Sequence, residues 1–362
     1  MKTRVLVVDD SALMREILRR LLSADPDIEV VGVASDPIRA WAEIQRLRPD
    51  VLTLDVEMPK MDGLEFLARL MRAHPMPVVM CSSLTQSGCE TTLRALELGA
   101  VDFVSKPASD VQRGVEALAG ELVAKVKCAA QARPRARDAA KAAAGRARPS
   151  IPAASATSLG RTTELVFAIG ASTGGTEALL EVLRGLPADS PGVVIVQHMP
   201  EMFTRHFADR LDKLCAVRVH EARHGDRILP GHVLIAPGGG QHMEVVRSGA
   251  QAHVVLVQAA PVNHHRPSVD VLFDSCARRL GANAVGAILT GMGGDGARGL
   301  LAMRQAGART IAQDEATCVV FGMPKEAINR GAAEFVVPLG GVAAAMLRLA
   351  SGRRSSLAPQ AV

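Results

Sequence analysis

Two apolar rhythms alternate along the chain. Short unbroken runs rich in Val, Leu and Ile read as strands buried on both faces of a parallel sheet. Between them, apolar residues recur every three or four positions, as on the inward stripe of a helix. In the first part the runs are Arg4–Val8, Val30–Ala34, Val51–Leu54, Pro77–Cys81 and Asp102–Val104. After the first, Ser11 can cap a helix that sets Leu13, Ile17, Leu18 and Leu21 on one face. After the second, Asp36-Pro37 offers an N-cap with proline at the first helical position. Such alternation predicts a doubly wound parallel sheet.

The rhythm resumes near Leu165. An apolar run enters Gly170-Ala171-Ser172-Thr173-Gly174-Gly175 and then a helical pattern. Gly192–Gln197 is the next strand, followed by His198 and a helix over Phe203–Leu214. From His220 to Gln258 the character changes. His232–Ala236, Met243–Arg247 and His253–Val257 are short strand-like runs, and Ser248-Gly249 signals an antiparallel hairpin. Ser268–Leu280 reads as a helix capped by Ser268, and Ala284–Leu289 as a buried strand entering the glycine-rich Thr290–Gly296. The expected fold is α/β: two doubly wound parallel-sheet domains, 1–124 and 162–352, the second Rossmann-like with a small hairpin. A linker over 125–161 joins them, and 353–362 is a disordered tail.

Composition narrows the function. Aromatics make up 2% of the chain, with no Tyr and one Trp, which argues against a stacking platform for single-stranded nucleic acid. No apolar run is long enough to span a bilayer, and the N-terminus lacks the features of a signal peptide. Six cysteines without paired spacing read as reduced thiols of a cytoplasmic protein, with neither disulfide nor zinc. The net charge of +5 is unevenly spread: Lys125 to Arg161 holds nine Lys/Arg against one acid, Asp138. Being rich in Ala, Pro and Ser, this stretch reads as a flexible tether. Contact with nucleic acid or another acidic surface is the less favoured alternative.

In a doubly wound sheet, ligands gather at the carboxyl ends of the strands. Asp9, Asp10, Asp55, Ser82 and Lys106 all fall there in the first domain. Any one Asp after a strand is ordinarily a helix cap; the set is the signal. Three converging carboxylates need a cation among them, and hard oxygen donors suit Mg²⁺. One carboxylate could then attack a phosphoryl group while Lys106 offsets charge on its oxygens. The stretches VLVVDDSALMR, LTLDVEMPKMDGLEFL and GAVDFVSKP resemble the receiver domain of two-component response regulators, which is flavodoxin-like. The resemblance implies Asp55 as phospho-acceptor. It implies Asp10 and Asp55 as Mg²⁺ ligands, with Asp9 supporting and the Glu57 carbonyl completing the set. It makes Ser82 the switch hydroxyl, Lys106 the phosphate-pairing lysine and Phe103 the switch aromatic, where many receivers carry Tyr.

In the second domain Ser172, His198 and Asp295 each follow an expected strand, so a parallel sheet puts them on one edge. That is the placement a nucleophile, a base and an orienting acid require. A serine needs a base to take its proton, and a neutral imidazole suits that role. The glycines around Met292 free backbone N–H groups for a developing oxyanion. Gly170–Gly174 satisfies G-x-S-x-G, but α/β-hydrolases order the triad Ser, acid, His, whereas here it runs Ser, His, Asp. By residue type alone His224, His232, His242, His253, His264 and His265 compete with His198, and Asp295 could be only a turn residue.

IGASTGGTEAL, VVIVQHMP, HRPSVDVLF and AILTGMGGDGARGL resemble, in order, the catalytic domain of the chemotaxis protein-glutamate methylesterases. Behind a receiver, they identify the chain as a member of that family. The resemblance implies Ser172 as nucleophile, His198 as base, Asp295 as orienting acid and Met292 as an oxyanion donor, with Thr173 beside them. Arg266, Pro267, Ser268 and Asp270 match a motif near the cleft to which it assigns no role. It implies a phosphorylation-activated enzyme that demethylates glutamates and deamidates glutamines on methyl-accepting chemotaxis receptors, with a chemotaxis histidine kinase as phosphodonor. The receiver–linker–hydrolase order suggests gating in which the unphosphorylated receiver covers the Ser172 edge. The rival is an output domain that binds phosphate or nucleic acid. A Walker loop, however, needs Lys before its Ser/Thr, and Gly175 precedes Thr176.

Overall fold

The structure is a computed structural model that describes residues 2–58, 62–82, 85–106, 111–132 and 165–352. The chain divides into two units, Met1–Pro152 and Ala153–Val362. In the first, strands β1 (Thr3–Val8), β2 (Ile28–Ala34), β3 (Val51–Asp55), β4 (Val78–Ser82) and β5 (Asp102–Ser105) alternate with helices α1 (Ala12–Ser23), α2 (Pro37–Leu47), α3 (Gly63–Ala73), α4 (Gln86–Glu97) and α5 (Val111–Gln131). The strands pair in parallel, in the order β2-β1-β3-β4-β5. This is the flavodoxin-like arrangement, and its winding reverses between β1 and β3.

The capping signals of this unit act as their chemistry requires, whereas Leu13, expected on the apolar face of α1, is exposed and Leu18 and Leu22 are the buried residues of that helix. Ser11 Oγ accepts from the Met14 amide at 3.3 Å, and Asp36 Oδ1 accepts from Ile38 and Arg39 at 3.1 and 3.0 Å. The boundary expected at 124 falls inside α5. Val126, Cys128 and Ala129 are buried, Lys125 pairs with Asp102, and Lys127 pairs with Asp25 and Asp27. Two of the linker's basic residues thus belong to this helix. The rest of the expected linker over 133–161 and the tail over 353–362 lie outside the described residues.

The second unit contains β6 (Val166–Ala171), α6 (Gly175–Arg184), β7 (Gly192–Gln197), α7 (Phe203–Leu214), β8 (Arg218–Glu221), β9 (His232–Ile235), β10 (His242–Ser248) and β11 (Gln251–Val257). There follow α8 (Val269–Arg279), β12 (Ala284–Ile288), α9 (Ala297–Gln305), β13 (Arg309–Gln313), α10 (Met323–Asn329), β14 (Phe335–Val337) and α11 (Val342–Ala350). Seven strands form a parallel sheet in the order β14-β13-β12-β6-β7-β9-β8. Every residue of β6, β7 and β12 is buried, which is why each reads as an unbroken apolar run. β10 and β11 form the expected antiparallel hairpin. Edge strand β8 was not expected, because of its four residues only Val219 is buried and apolar.

The sheet reverses its winding between β6 and β12, so the crevice of this unit opens where those two strands end. Close packing there depends on Gly170. A Cβ at that position would run into the side chain of Val269, the first residue of α8. Gly170→Ala is therefore expected to overpack this junction, at a cost of about 1–3 kcal/mol. Calorimetry of the full chain would show the second unit melting several degrees lower; an unchanged transition would mean that α8 does not bear on β6 here.

Candidate active site

Ser172 is the first residue beyond β6. Its amide donates to the Thr290 carbonyl at 3.0 Å, and its own carbonyl accepts from Gly175 N at 2.7 Å and Gln197 Nε2 at 2.9 Å. The serine backbone is thus tied to the ends of β12 and β7 and to the start of α6. Gly291 lies against it: a Cβ there would come within 2.8 Å of Ser172 Cβ and clash with Met323. Thr173 is buried, and its carbonyl accepts from Thr290 Oγ1 at 3.0 Å.

His198 follows β7, and its amide donates to the Ala171 carbonyl at 3.1 Å. Its Nε2 lies 2.8 Å from Asp295 Oδ2. A carboxylate only accepts, so Nε2 carries the hydrogen and Nδ1 of the neutral ring keeps a lone pair. That Nδ1 is buried and has no hydrogen-bond partner among the described residues. The ring is stacked on His265, with centroids 3.6 Å apart and planes 11° from parallel.

Asp295 is buried, at 2% exposure, and accepts five hydrogen bonds. Oδ2 takes His198 Nε2 and the Val269 amide; Oδ1 takes Asn263 Nδ2, Ser268 Oγ and, at 3.3 Å, the Asp270 amide. Burial pushes its pKa up, but the hydrogen bonds from His198, Asn263 and Ser268 outweigh this and hold the carboxyl well below the usual range. The amides of Val269 and Asp270 begin α8, so Asp295 caps that helix from outside. Ser268 was expected to cap it. Its hydroxyl makes no cap bond and donates instead to Asp295 at 2.7 Å.

The favour is returned. Asp270, in the first turn of α8, accepts from the amides of Gly296 and Gly299 at the start of α9, at 3.1 and 2.7 Å. Asp295 directly precedes Gly296, the N-cap of α9. Each helix therefore carries the carboxylate that caps the other.

The loop after β12 was expected to free several amides. Thr290 N is taken by Gln313 Oε1, Gly291 N by the Val320 carbonyl and Gly296 N by Asp270. The amides of Met292, Gly293 and Gly294 have no partner among the described residues. Met292 is 40% exposed at this rim.

Of the competing histidines, His265 lies against the His198 ring, and the others are occupied or stand on other segments. Buried His242 accepts from Ser268 N at Nδ1 and donates to the Ala260 carbonyl from Nε2, so both ring nitrogens are used. His224 bonds to Leu256, His232 meets His220 edge-on, His253 lies on β11 and His264 is exposed.

In the first unit, carboxylate oxygens of Asp9, Asp10 and Asp55 lie within 4.8 Å of one another. Lys106 Nζ lies 2.8 Å from both Asp9 and Asp55. Three carboxylates against one ammonium leave a surplus of negative charge, and hard oxygen donors with that surplus fit a divalent cation. Burial pushes the Asp55 carboxyl up to about 6, with Lys106 pulling it down and Asp9 pushing it further up. Glu57 is exposed, and its amide donates to Asp55 Oδ1 at 3.3 Å. Arg15, unassigned from sequence, clamps the carbonyls of Asp9 and Asp10 at 2.7 and 2.8 Å. Ser82 Oγ donates to the Gly88 carbonyl. Phe103 is buried beneath Lys125, whose Nζ lies 4.9 Å from the ring centre.

Comparison with known proteins agrees with this two-part layout. Residues 167–346 match the CheB methylesterase family and residues 5–119 the response regulator receiver domain. The chain is 59% identical over 355 residues to protein-glutamate methylesterase/protein-glutamine glutaminase 2 of Pseudomonas aeruginosa, covering 98% of this chain and 99% of that one. The chain belongs to the CheB methylesterase family. A Bordetella bronchiseptica relative, named protein-glutamate methylesterase/protein-glutamine glutaminase, is 57% identical over 96% of this chain and 97% of its own. Among solved structures, the Thermotoga maritima CheB methylesterase catalytic domain superposes with a TM-score of 0.50 at 37% identity, covering 52% of this chain and 99% of that one. Ser172, His198 and Asp295 all fall within the span that matches the family.

Sequence reasoning passed over Asn263, Gln197, Thr290 and Gln313. Two of them carried a signal: Gln197 and Gln313 are polar residues closing buried apolar strands, where an unpaired amide would be costly.

The capping role of Asp295 has a measurable consequence. An Asn in its place has one oxygen, and its NH₂ would face donors now bonded to the carboxylate. Asp295→Asn is expected to destabilise the second unit by at least about 2 kcal/mol at neutral pH. Because the folded carboxyl is held below its ordinary value, its contribution is complete above the unfolded pKa of about 4 and lost as pH falls toward the folded value. The wild type should therefore lose stability in acid more steeply than the variant. Melting curves that coincide from pH 7 down to pH 3 would refute this.

Proposed function

We propose that the second unit is a serine esterase and amidase acting on glutamyl side chains, with Ser172 as nucleophile, His198 as base and Asp295 as orienting acid. The observation that carries it is the His198–Asp295 pair. Nε2 is committed to a buried, ionised carboxylate, which leaves the Nδ1 lone pair as the basic site of a ring whose strand neighbours Ser172. Ser172 Oγ attacks the γ-carbonyl of a glutamate methyl ester and its proton passes to Nδ1. The imidazolium is stabilised by Asp295 and returns the proton to the departing methoxide, releasing methanol. Water, deprotonated by His198, then hydrolyses the acyl-enzyme to glutamate. A glutamine presents the same carbonyl and releases ammonia. The amide of Met292 is the oxyanion donor, and Thr173 holds the loop beside the nucleophile. The substrates are methyl-accepting chemotaxis receptors, and the protein works in the cytoplasm. No helix among the described residues is long and apolar enough to cross a membrane.

The first unit supplies the switch. Asp55 accepts a phosphoryl group from a chemotaxis histidine kinase, Lys106 pairs with the phosphoryl oxygens, and Ser82 and Phe103 transmit the change. Asp10 and Asp55, supported by Asp9 and the Glu57 carbonyl, would hold Mg²⁺, which when bound neutralises charge on the phosphoryl oxygens. The rival phosphate-binding role for the loop at Gly174 lacks its cation, since no Lys precedes Thr176.

Two measurements test these assignments. Methanol release from methylated receptor membranes is expected to rise when a small-molecule phosphodonor is added to the wild type. It should stay basal in Asp55→Ala and fall by at least about a thousandfold in Ser172→Ala. Undiminished release by Ser172→Ala would sink the mechanism. Separately, millimolar Mg²⁺ should raise the melting temperature of the first unit by preferential binding to the folded state. Asp10→Asn should abolish that rise; a variant that responds like the wild type would remove Asp10 from the ligand set.

A further inference from the structure

One turn brings a neutral amide between two buried carboxylates. Val262 and His265 exchange both backbone hydrogen bonds, at 3.1 and 2.9 Å, closing a two-residue turn. Its corner residues, Asn263 and His264, have φ of 51° and 65°. Positive φ at both corners is the type I′ combination, and Asn is among the residues that tolerate it best. The turn points the Asn263 carboxamide at the helix junction. Nδ2 lies 2.7 Å from Asp295 Oδ1 and 2.9 Å from Asp270 Oδ2. An amide nitrogen has two hydrogens, so it serves one carboxylate with each.

This position controls a torsion. A carboxylate turns readily about its last bond, exchanging its two oxygens. Asn263 and Ser268, both at 2.7 Å, hold Oδ1 on the side away from His198 and leave Oδ2 for Nε2. The junction itself does not need Asn263. Asp270 already holds the start of α9 through Gly296 and Gly299, and Asp295 already holds the start of α8 through Val269 and Asp270.

We propose that Asn263 is a positioning residue for the hydrolytic reaction: by bridging Asp295 and Asp270 it fixes the rotation of the Asp295 carboxylate, and through it the orientation and tautomer of His198. This rests on the assignment of Ser172, His198 and Asp295 above. Asn263 bonds to Asp295 and Asp270, and so acts on His198 only through Asp295.

Removing the bridge also changes the charge balance around Asp295. Facing that carboxylate are His198 from the loop after β7 and Asp270 from α8, and His265, which closes the same turn as Asn263, stacks on the His198 ring with centroids 3.6 Å apart. Arg298 of α9 stands beyond, pairing with Asp270 at 3.4 Å and Asp274 at 2.7 Å. With Asn263 gone, Oδ1 keeps only Ser268 Oγ and the more distant Asp270 amide, so Asp295 bears more uncompensated charge and attracts the His198 proton more strongly. The ring then stays protonated, and useless as a base, up to a higher pH.

The test uses the full-length protein with phosphodonor on methylated receptor membranes. Asn263→Gly keeps positive φ accessible and deletes only the amide. Asn263→Asp is nearly isosteric and places a third carboxylate at the junction. For Asn263→Gly, kcat is expected to fall about tenfold to a hundredfold, the worth of a hydrogen bond to a charged group. KM should change little, melting should stay near wild type, and the acid limb of the kcat/KM profile should move to higher pH. Asn263→Asp should lose more activity and move the limb further. The position of the limb does not depend on how much protein is folded, so it reads the proposal even in a destabilised variant. An Asn263→Gly protein with wild-type kcat and acid limb would overturn it, as would one that melts early but turns over normally. Ser172→Ala, run in parallel, separates the two layers. If it keeps activity, the hydrolytic assignment fails; if it is inactive while Asn263→Gly is normal, only the role of Asn263 fails.

Discussion

The second unit depends on an exchange of charges between two helix starts. Asp295 caps α8 and Asp270 caps α9, each from the neighbouring segment. A helix N-terminus offers unpaired amides and a partial positive charge, and a carboxylate there is favoured by up to about 2 kcal/mol in partly buried settings. Burying a lone carboxylate costs several kcal/mol. Here the cost is offset because each acid meets amides that would otherwise be orphaned. The same exchange gives Asp295 its electrostatic character. Held by five donors, it keeps its charge and fixes the acceptor toward which His198 must point.

The sheet converts this junction into a site. The winding reverses between β6 and β12, so the segment after each strand turns away and leaves room between them. Ser172 enters that space from β6 and the Thr290–Gly296 loop from β12. Glycine permits the approach. At Gly170 a side chain would push away Val269, and with it the amides that hold Asp295. At Gly291 a side chain would displace Ser172 or Met323. Thr290 then ties the parts together: its carbonyl takes the Ser172 amide and its hydroxyl bridges Thr173 and Val320. Positions that look like loop punctuation in the sequence set the distance between serine and helix.

This explains what was legible beforehand. Strands buried on both faces are apolar over most of their length, so β1, β3, β6, β7 and β12 announce themselves, and the polar residues at or just beyond their ends mark the sheet edges. Edge strand β8 does not, because burial on one face needs only Val219. Ser268 shows the limit of local reasoning. A serine before a helix is a cap in most settings, but here an acid 27 residues away occupies the amides and the hydroxyl turns to serve it. Asn263 was invisible for the same reason: its partners lie 7 and 32 residues away. The domain boundary expected at 124 falls inside α5 because Lys125 and Lys127 counted toward linker composition, while their acidic partners lie far back in the chain.

The two units put carboxylates at strand ends under opposite regimes. Around Asp55 the acids outnumber the cations: Asp9 adds to the burden, Lys106 is shared, and burial leaves the carboxyl pushed upward. Such a group gains from any event that adds positive charge or spreads its own, as the divalent ion and the phosphoryl group proposed for it would. Around Asp295 donors outnumber the acid, and its charge is satisfied before any substrate arrives. That carboxylate has nothing to gain from a visitor and cannot relay a proton at physiological pH. In the reading proposed above its chemistry is confined to orientation and proton transfer falls to His198 Nδ1, a buried ring atom with no hydrogen-bond partner among the described residues.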